Sequence, residues 1–145
     1  MNRLKVLAVL LVLAAAFAII AYAVNDWRIR NVGVVKAVGV GVYWDSACTV
    51  PVTEIQWGNM SLGEAKNTMV YVRNNGNVNI TLSINTTAWN PPEAADYLTL
   101  SWDWNPAAVL KPGEVAPLTF TLTKDLRIPA FQDFSFEIWV AGVSV

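Results

Sequence analysis

VGVVKAVGVGVYWD, residues 32–45, carries no helical periodicity. Its even-numbered places hold Val32, Val34, Val38, Val40, Val42 and Trp44, an apolar row that only Lys36 interrupts. The odd places are mostly small: Gly33, Val35, Ala37, Gly39 and Gly41. A period of two built on β-branched residues marks an extended strand with one face buried. The even face is expected to fill core pockets. Gly39 and Gly41 are expected to admit a close-packed neighbour on the other face.

The chain after this stretch repeats the same grammar. Short runs rich in Val, Ile, Thr, Tyr, Phe and Trp alternate with turn residues, which predicts an all-β domain. VTEIQW (52–57) follows Pro51. NTMVYVRN (67–74) sets Val70 and Val72 against Met69, Tyr71 and Arg73. NNGN (74–77) is an Asn-Gly signal for a tight hairpin, leading into VNITLSI (78–84) with Val78, Ile80, Leu82 and Ile84 inward. AWNPPEAADY (88–97) reads as a loop with a short helical turn at Glu93–Tyr97. LTLSWDW (98–104), APLTFTLT (116–123) and FSFEIWVAGV (134–143) complete about seven strands in about 110 residues, the count and spacing of a Greek-key sandwich.

The start of the chain has a different composition. Arg3 and Lys5 precede an uncharged apolar run from Val6 to Val24. As a helix this run would span roughly 28 Å, close to a bilayer core of about 30 Å. The basic end marks the inner side, so the domain is expected outside. Two readings stand. Ala21-Tyr22-Ala23 fits a signal-peptidase site between Ala23 and Val24. The length of the run fits a retained membrane anchor. Three N-glycosylation sequons, at Asn59, Asn79 and Asn85, agree with an extracellular or cell-surface location.

Composition narrows the chemistry. Of 145 residues, 54% are hydrophobic and 14% charged, and the net charge is −1. No cationic footprint for nucleic acid is present. Histidine is absent, which removes Ser-His and Cys-His catalysis and the commonest metal ligand. The single cysteine, Cys48, excludes an internal disulfide and reads as a small buried hydrophobe in preference to a free thiol. The acidic candidates Asp45, Glu54, Glu64, Asp96, Asp103 and Glu114 scatter over separate turns and strands. We therefore expect no enzyme, no metal and no cofactor. Seven tryptophans, Trp27, Trp44, Trp57, Trp89, Trp102, Trp104 and Trp139, are the sharper feature. They read as core and interface packing, or as flat platforms for sugar rings, with Trp89 and Trp104 the candidates for the latter.

One pattern in the chain is familiar. WGNMSLGEAKNTMVYVRNNGNVNITLSI (57–84) and LSWDWNPAAVLKPGEVAPLTFTLT (100–123) run strand, L-x-GE turn, strand, N-x-G turn, strand, then a second L-x-PGE unit. This resembles archaeal secreted Ig-like sandwich proteins. More remotely it is similar to biofilm-fibre subunits of the TasA/camelysin type and to archaeal bundling pilins. The resemblance implies an exported subunit of a head-to-tail homo-oligomeric filament, joined by donor-strand complementation. The expected organisation is a signal peptide or anchor over 1–23, an extended segment over 24–36 and a single Ig-like or jelly-roll-like β-sandwich over 37–145. Trp27, Ile29, Val32 and Val34 are the candidate donor residues. Strand addition at an open edge supplies main-chain hydrogen bonds and pockets for alternate side chains. Val38–Trp44 reads equally as the first strand of its own domain. A membrane-anchored module binding glycans or a partner protein, or an accessory subunit of a membrane complex, is the alternative role.

Overall fold

The structure, a computed structural model, describes residues 31–145. The leader, the cleavage candidates Ala23 and Val24, and the donor candidates Trp27 and Ile29 lie outside the described residues. Among the described residues, eight strands form two four-stranded sheets. They are β1 (Val32–Val38), β2 (Val40–Tyr43), β3 (Glu54–Gln56), β4 (Ala65–Asn74), β5 (Ile80–Asn90), β6 (Leu98–Trp102), β7 (Val115–Lys124) and β8 (Ser135–Ser144). One sheet has the order β3-β1-β8-β5, the other β2-β4-β7-β6. The chain changes sheet at every connection except β6 to β7. Phe120, Phe136, Ile55, Leu118, Leu122, Ile138, Val70, Val72 and Val140 are fully buried between the sheets.

Residues 32–44 are not one strand. The chain turns at Gly39, whose φ of 72° suits glycine far better than a residue with a side chain. β1 stays in the first sheet and β2 crosses to the second. The turn also reverses the face that meets the core. In β2 the even residues Val40 and Val42 are buried, as the alternation predicts. In β1 the core face is odd: Val35 packs in the core, and Gly33 lies against Trp57, Phe136 and Ile138. Lys36 supplies the reason. A lysine in the even row cannot enter an apolar core without a large desolvation cost. Its ammonium turns the end of that row outward in β1, and the exposed Val38 goes with it, while Val32 at the start of the row is buried.

The three glycines of this stretch do different work. A Cβ on Gly33 would stand 3.1 Å from Ile138 and 3.2 Å from both Phe136 and Trp57. A Cβ on Gly41 would overlap the ring of Tyr43, which lies across it on the same strand face. The close-packed neighbour of Gly41 is thus its own chain. Gly39 makes the corner.

The NNGN segment is not a hairpin, because β4 and β5 belong to different sheets. Asn74 explains its conformation. The side chain is 1% exposed, and its Oδ1 accepts from Gly76 N at 2.9 Å. Its Nδ2 donates to Val78 O at 2.7 Å and Leu110 O at 3.0 Å. These bonds route the chain across the sandwich instead of back along β4. Val78, expected inward, is 51% exposed because β5 begins only at Ile80.

The two GE turns are structural equivalents. Gly63 and Gly113 have φ of 72° and 77°. Glu64 accepts from Ser61 N at 2.6 Å, and Glu114 from Lys111 N at 2.8 Å. Each turn launches one of the two long partners, β4 and β7, which pair antiparallel from Ala65↔Thr123 to Arg73↔Val115. The positive φ at the third turn position is what a type II turn asks of glycine. β5 runs further than expected, through Asn90. A register shift between Thr87 and Asn90, with Ala88 at φ 53°, turns Trp89 inward. A short 3₁₀ helix, Pro92–Asp96, then leads to β6.

Candidate functional site

Two places on the first sheet carry the functional expectations: the slot that holds β1, and the outer face beside it. β1 is a central strand. It pairs parallel with β8 from Val32↔Ser135 to Val38↔Ala141, and antiparallel with β3 through Val32↔Gln56, Gly33↔Ile55 and Val34↔Glu54. The donor candidates Val32 and Val34 therefore sit in a slot of their own chain. Asn31 locks the start of the slot. It is 4% exposed; its Nδ2 donates to Gly58 O at 2.7 Å, and its Oδ1 accepts from Phe134 N at 3.1 Å. Its backbone O accepts from Trp57 N at 2.8 Å. A shallow groove runs beside this point, lined by Val32, Val34, Glu54, Pro91, Asp133 and Phe134 among others.

On the outer face of the same sheet, β8 carries Trp139, which is 38% exposed. Its register partners are Asn85 on β5 and Lys36 on β1, so the three make one row across the sheet. The indole N–H donates to Thr87 Oγ1 at 3.0 Å and Glu137 Oε2 at 3.0 Å. These bonds tie the polar edge of the ring to the sheet and leave apolar ring area open to solvent.

The tryptophans divide differently from the expectation. Trp89 stacks on Phe136, with centroids 4.2 Å apart and planes 9° from parallel. Trp104 packs against the core with its N–H on Thr81 Oγ1 at 3.3 Å. Neither is a free platform, because a bulge and a loop turn each ring inward. β6 ends at Trp102, so Trp104 does not share a strand face with it. Trp57 is 3% exposed, and its N–H has no acceptor among the described residues. Among the described residues, Trp44, Trp102 and Trp139 are the exposed tryptophans.

The three glycosylation candidates also separate. Asn59, Asn79 and Asn85 are all exposed. Thr81, the hydroxyl residue of the Asn79 sequon, donates to Pro106 O and accepts from Trp104. The backbone O of Asn59 accepts from Lys66 Nζ at 2.6 Å. Only Asn85 lies in strand register with an aromatic ring.

Cys48 is not a core residue. It stands half-exposed at φ 58° in the loop after β2, a free thiol near Ser46 O. Asp45 dictates that loop. Its carboxylate accepts from Thr49 Oγ1 at 2.6 Å, Thr49 N at 3.0 Å and Val50 N at 2.9 Å. The Thr49 hydroxyl, followed by the Val50 amide, holds the Asp45 carboxyl below the ordinary aspartate value. The charged form is thus favoured by the folded loop. Its contribution is complete above about pH 4 and is lost as pH falls through the lowered folded value. In an NMR titration, the Thr49 and Val50 amides should shift only below that ordinary value. A midpoint at or above it would contradict the capped loop.

Asn31 and Asn74 are the structural residues that pattern reading missed. Both look like polar loop residues in sequence. Their partners, Phe134 and Leu110, lie 103 and 36 residues away. Among the described residues no group of three Cys, Asp or Glu side chains is placed to hold a metal ion. Nor is any helix there long and apolar enough to cross a membrane. No family model matches the chain, and no curated protein matches it.

Proposed function

We propose that the protein is a non-enzymatic, exported structural subunit whose Ig-like sandwich assembles head to tail into a surface filament by exchange of its first strand. The observation that supports this is the single-residue corner at Gly39 between β1 and β2. Opening that corner makes residues 32–43 one extended run. β1 of one copy then enters the slot between β3 and β8 of the next. The pairing and the Gly33 groove are the same whichever chain supplies the strand, so exchange costs little beyond the hinge. A heterologous contact of this kind propagates instead of closing.

Gly39→Val is the direct test. A β-branched residue is strained at φ 72°, which penalises the closed corner and not the open one. The variant should move the protein from monomer toward oligomers and filaments in size-exclusion chromatography and electron microscopy. Deleting residues 24–36 should abolish assembly. Filaments that survive this deletion would sink the proposal, as would monomers at every concentration for both the parent protein and Gly39→Val.

The exposed Trp139 row favours a second reading, a membrane-anchored module that presents a binding face. Mass spectrometry of the mature N-terminus separates the two. A chain beginning at Val24 supports the released subunit, and an intact leader supports the anchored module.

A further inference from the structure

We infer that Asn85 carries an N-linked oligosaccharide whose first sugar ring stacks on Trp139, making the outer face of the first sheet a glycan-covered surface. This rests on export of the domain and not on its assembly into filaments. Asn85-Thr86-Thr87 is an acceptor sequon in an edge strand. Asn85 is exposed and its Oδ1 accepts from Thr86 N at 2.8 Å, so the hydrogen-bonded group is the oxygen and not the nitrogen that is modified.

Position selects this sequon from the three. Directly opposed residues on neighbouring antiparallel strands have Cβ atoms about 4.5–5.5 Å apart. Asn85 and Trp139 are such a pair, on the outer face of the sheet. The linkage places the first pyranose over the neighbouring strand. One face of a pyranose is lined by C–H bonds, and these meet the electron-rich face of an indole favourably. Thr87 serves twice: its hydroxyl completes the sequon, and in the folded chain it accepts the Trp139 N–H and holds the ring in place. Lys36, on the far side of Trp139, ends the row. The Asn79 sequon has its threonine packed under Trp104. The Asn59 sequon lies in a loop without a register partner.

The chemistry balances with a lipid-phosphate-linked oligosaccharide as donor. The Asn85 Nδ2 attacks the anomeric carbon, a C–N bond forms and the C–O bond to the lipid phosphate breaks. The amide releases one proton, and the lipid phosphate leaves with the bonding pair. A sugar chain on this face also blankets the outer side of edge strand β5, which discourages unspecific sheet-to-sheet association.

The test uses the full chain produced by its own cells. Glycopeptide mass spectrometry should find hexose or hexosamine increments on Asn85. An unmodified Asn85 in a chain whose mature N-terminus proves export overturns the inference and leaves the export reading standing. Stacking is tested by a double-mutant cycle on the glycosylated protein. Asn85→Gln should lower Tm by about 4–8 °C beside Trp139, and leave it unchanged beside Trp139→Leu. Equal shifts in both backgrounds overturn the stacking. Trp139→Phe is the second background should Trp139→Leu fail to fold. It keeps an aromatic face and loses the N–H, so the Asn85 effect should persist in part, and its absence overturns the stacking as well.

Discussion

Replacing Phe136 with alanine is expected to remove about 3–5 kcal/mol of folding stability, the usual cost of emptying a large buried aromatic site. Phe136 is 1% exposed, stacked under Trp89 and set against Phe134 with centroids 6.2 Å apart. Its ring also fills the space that Gly33 leaves in β1. The cavity is therefore walled by three strands and cannot collapse without moving β1 in its slot. Domains of this size are stable by about 5–15 kcal/mol, so this one change uses a large share. Heat denaturation should show Tm lowered by roughly 12–30 °C. A loss under about 1 kcal/mol would mean that the β1–β5–β8 aromatic layer is not closed.

The second large effect is expected from Asn74→Leu. The volumes are similar, so packing alone predicts a small change. Hydrogen bonding predicts a large one. The substitution removes the side-chain partners of Val78 O and Gly76 N and one of two donors to Leu110 O, which keeps Ile80 N at 3.1 Å; a buried group left unpaired costs roughly 1–3 kcal/mol. Water reaches the exposed Gly76 and Val78 ends and Leu110 O keeps one donor, so the expected loss is about 2 kcal/mol. Urea denaturation measures it. Asn74→Asp is the informative companion: it can retain the acceptor for Gly76 N, but it sets a buried carboxylate oxygen against the Val78 and Leu110 carbonyl oxygens, and that repulsion should make it fall at least as far as Asn74→Leu. A neutral result for both variants would show that the crossover from β4 to β5 is held by something other than this side chain.

These two sites differ in how far they could be read in advance. Phe136 belongs to Phe134, Phe136, Ile138 and Val140, an alternating row whose burial follows from the period of two, and all four are buried. Leu118, Phe120 and Leu122 on β7 follow the same rule. Asn74 was visible only as part of a turn signal, and the signal pointed to a hairpin. Asn-Gly favours a local reversal, but it does not say which strand receives the chain afterwards. That depends on Leu110, which has no sequence relation to Asn74. The candidate site divides in the same way. Asn85 as an acceptor is written in three residues. Trp139 as its neighbour follows from the β5–β8 register, 54 positions further along the chain.

Residues 32–45 show the division most plainly. Local chemistry determined that they are extended, that Val40 and Val42 are buried, and that a lysine at position 36 cannot be. It determined the all-β class and the paired GE turns. Tertiary structure alone decided that the stretch breaks at Gly39, that β1 and β2 lie in different sheets with opposite faces inward, and that Gly33 is a seat for Phe136 and Trp57. The physical reason is range. Alternation, turn preference and charge burial act over a few residues, so they leave a trace in the sequence. Sheet membership, strand order and side-chain neighbours are set by whichever packing buries all the apolar faces at once, and here nearly every connection crosses from one sheet to the other.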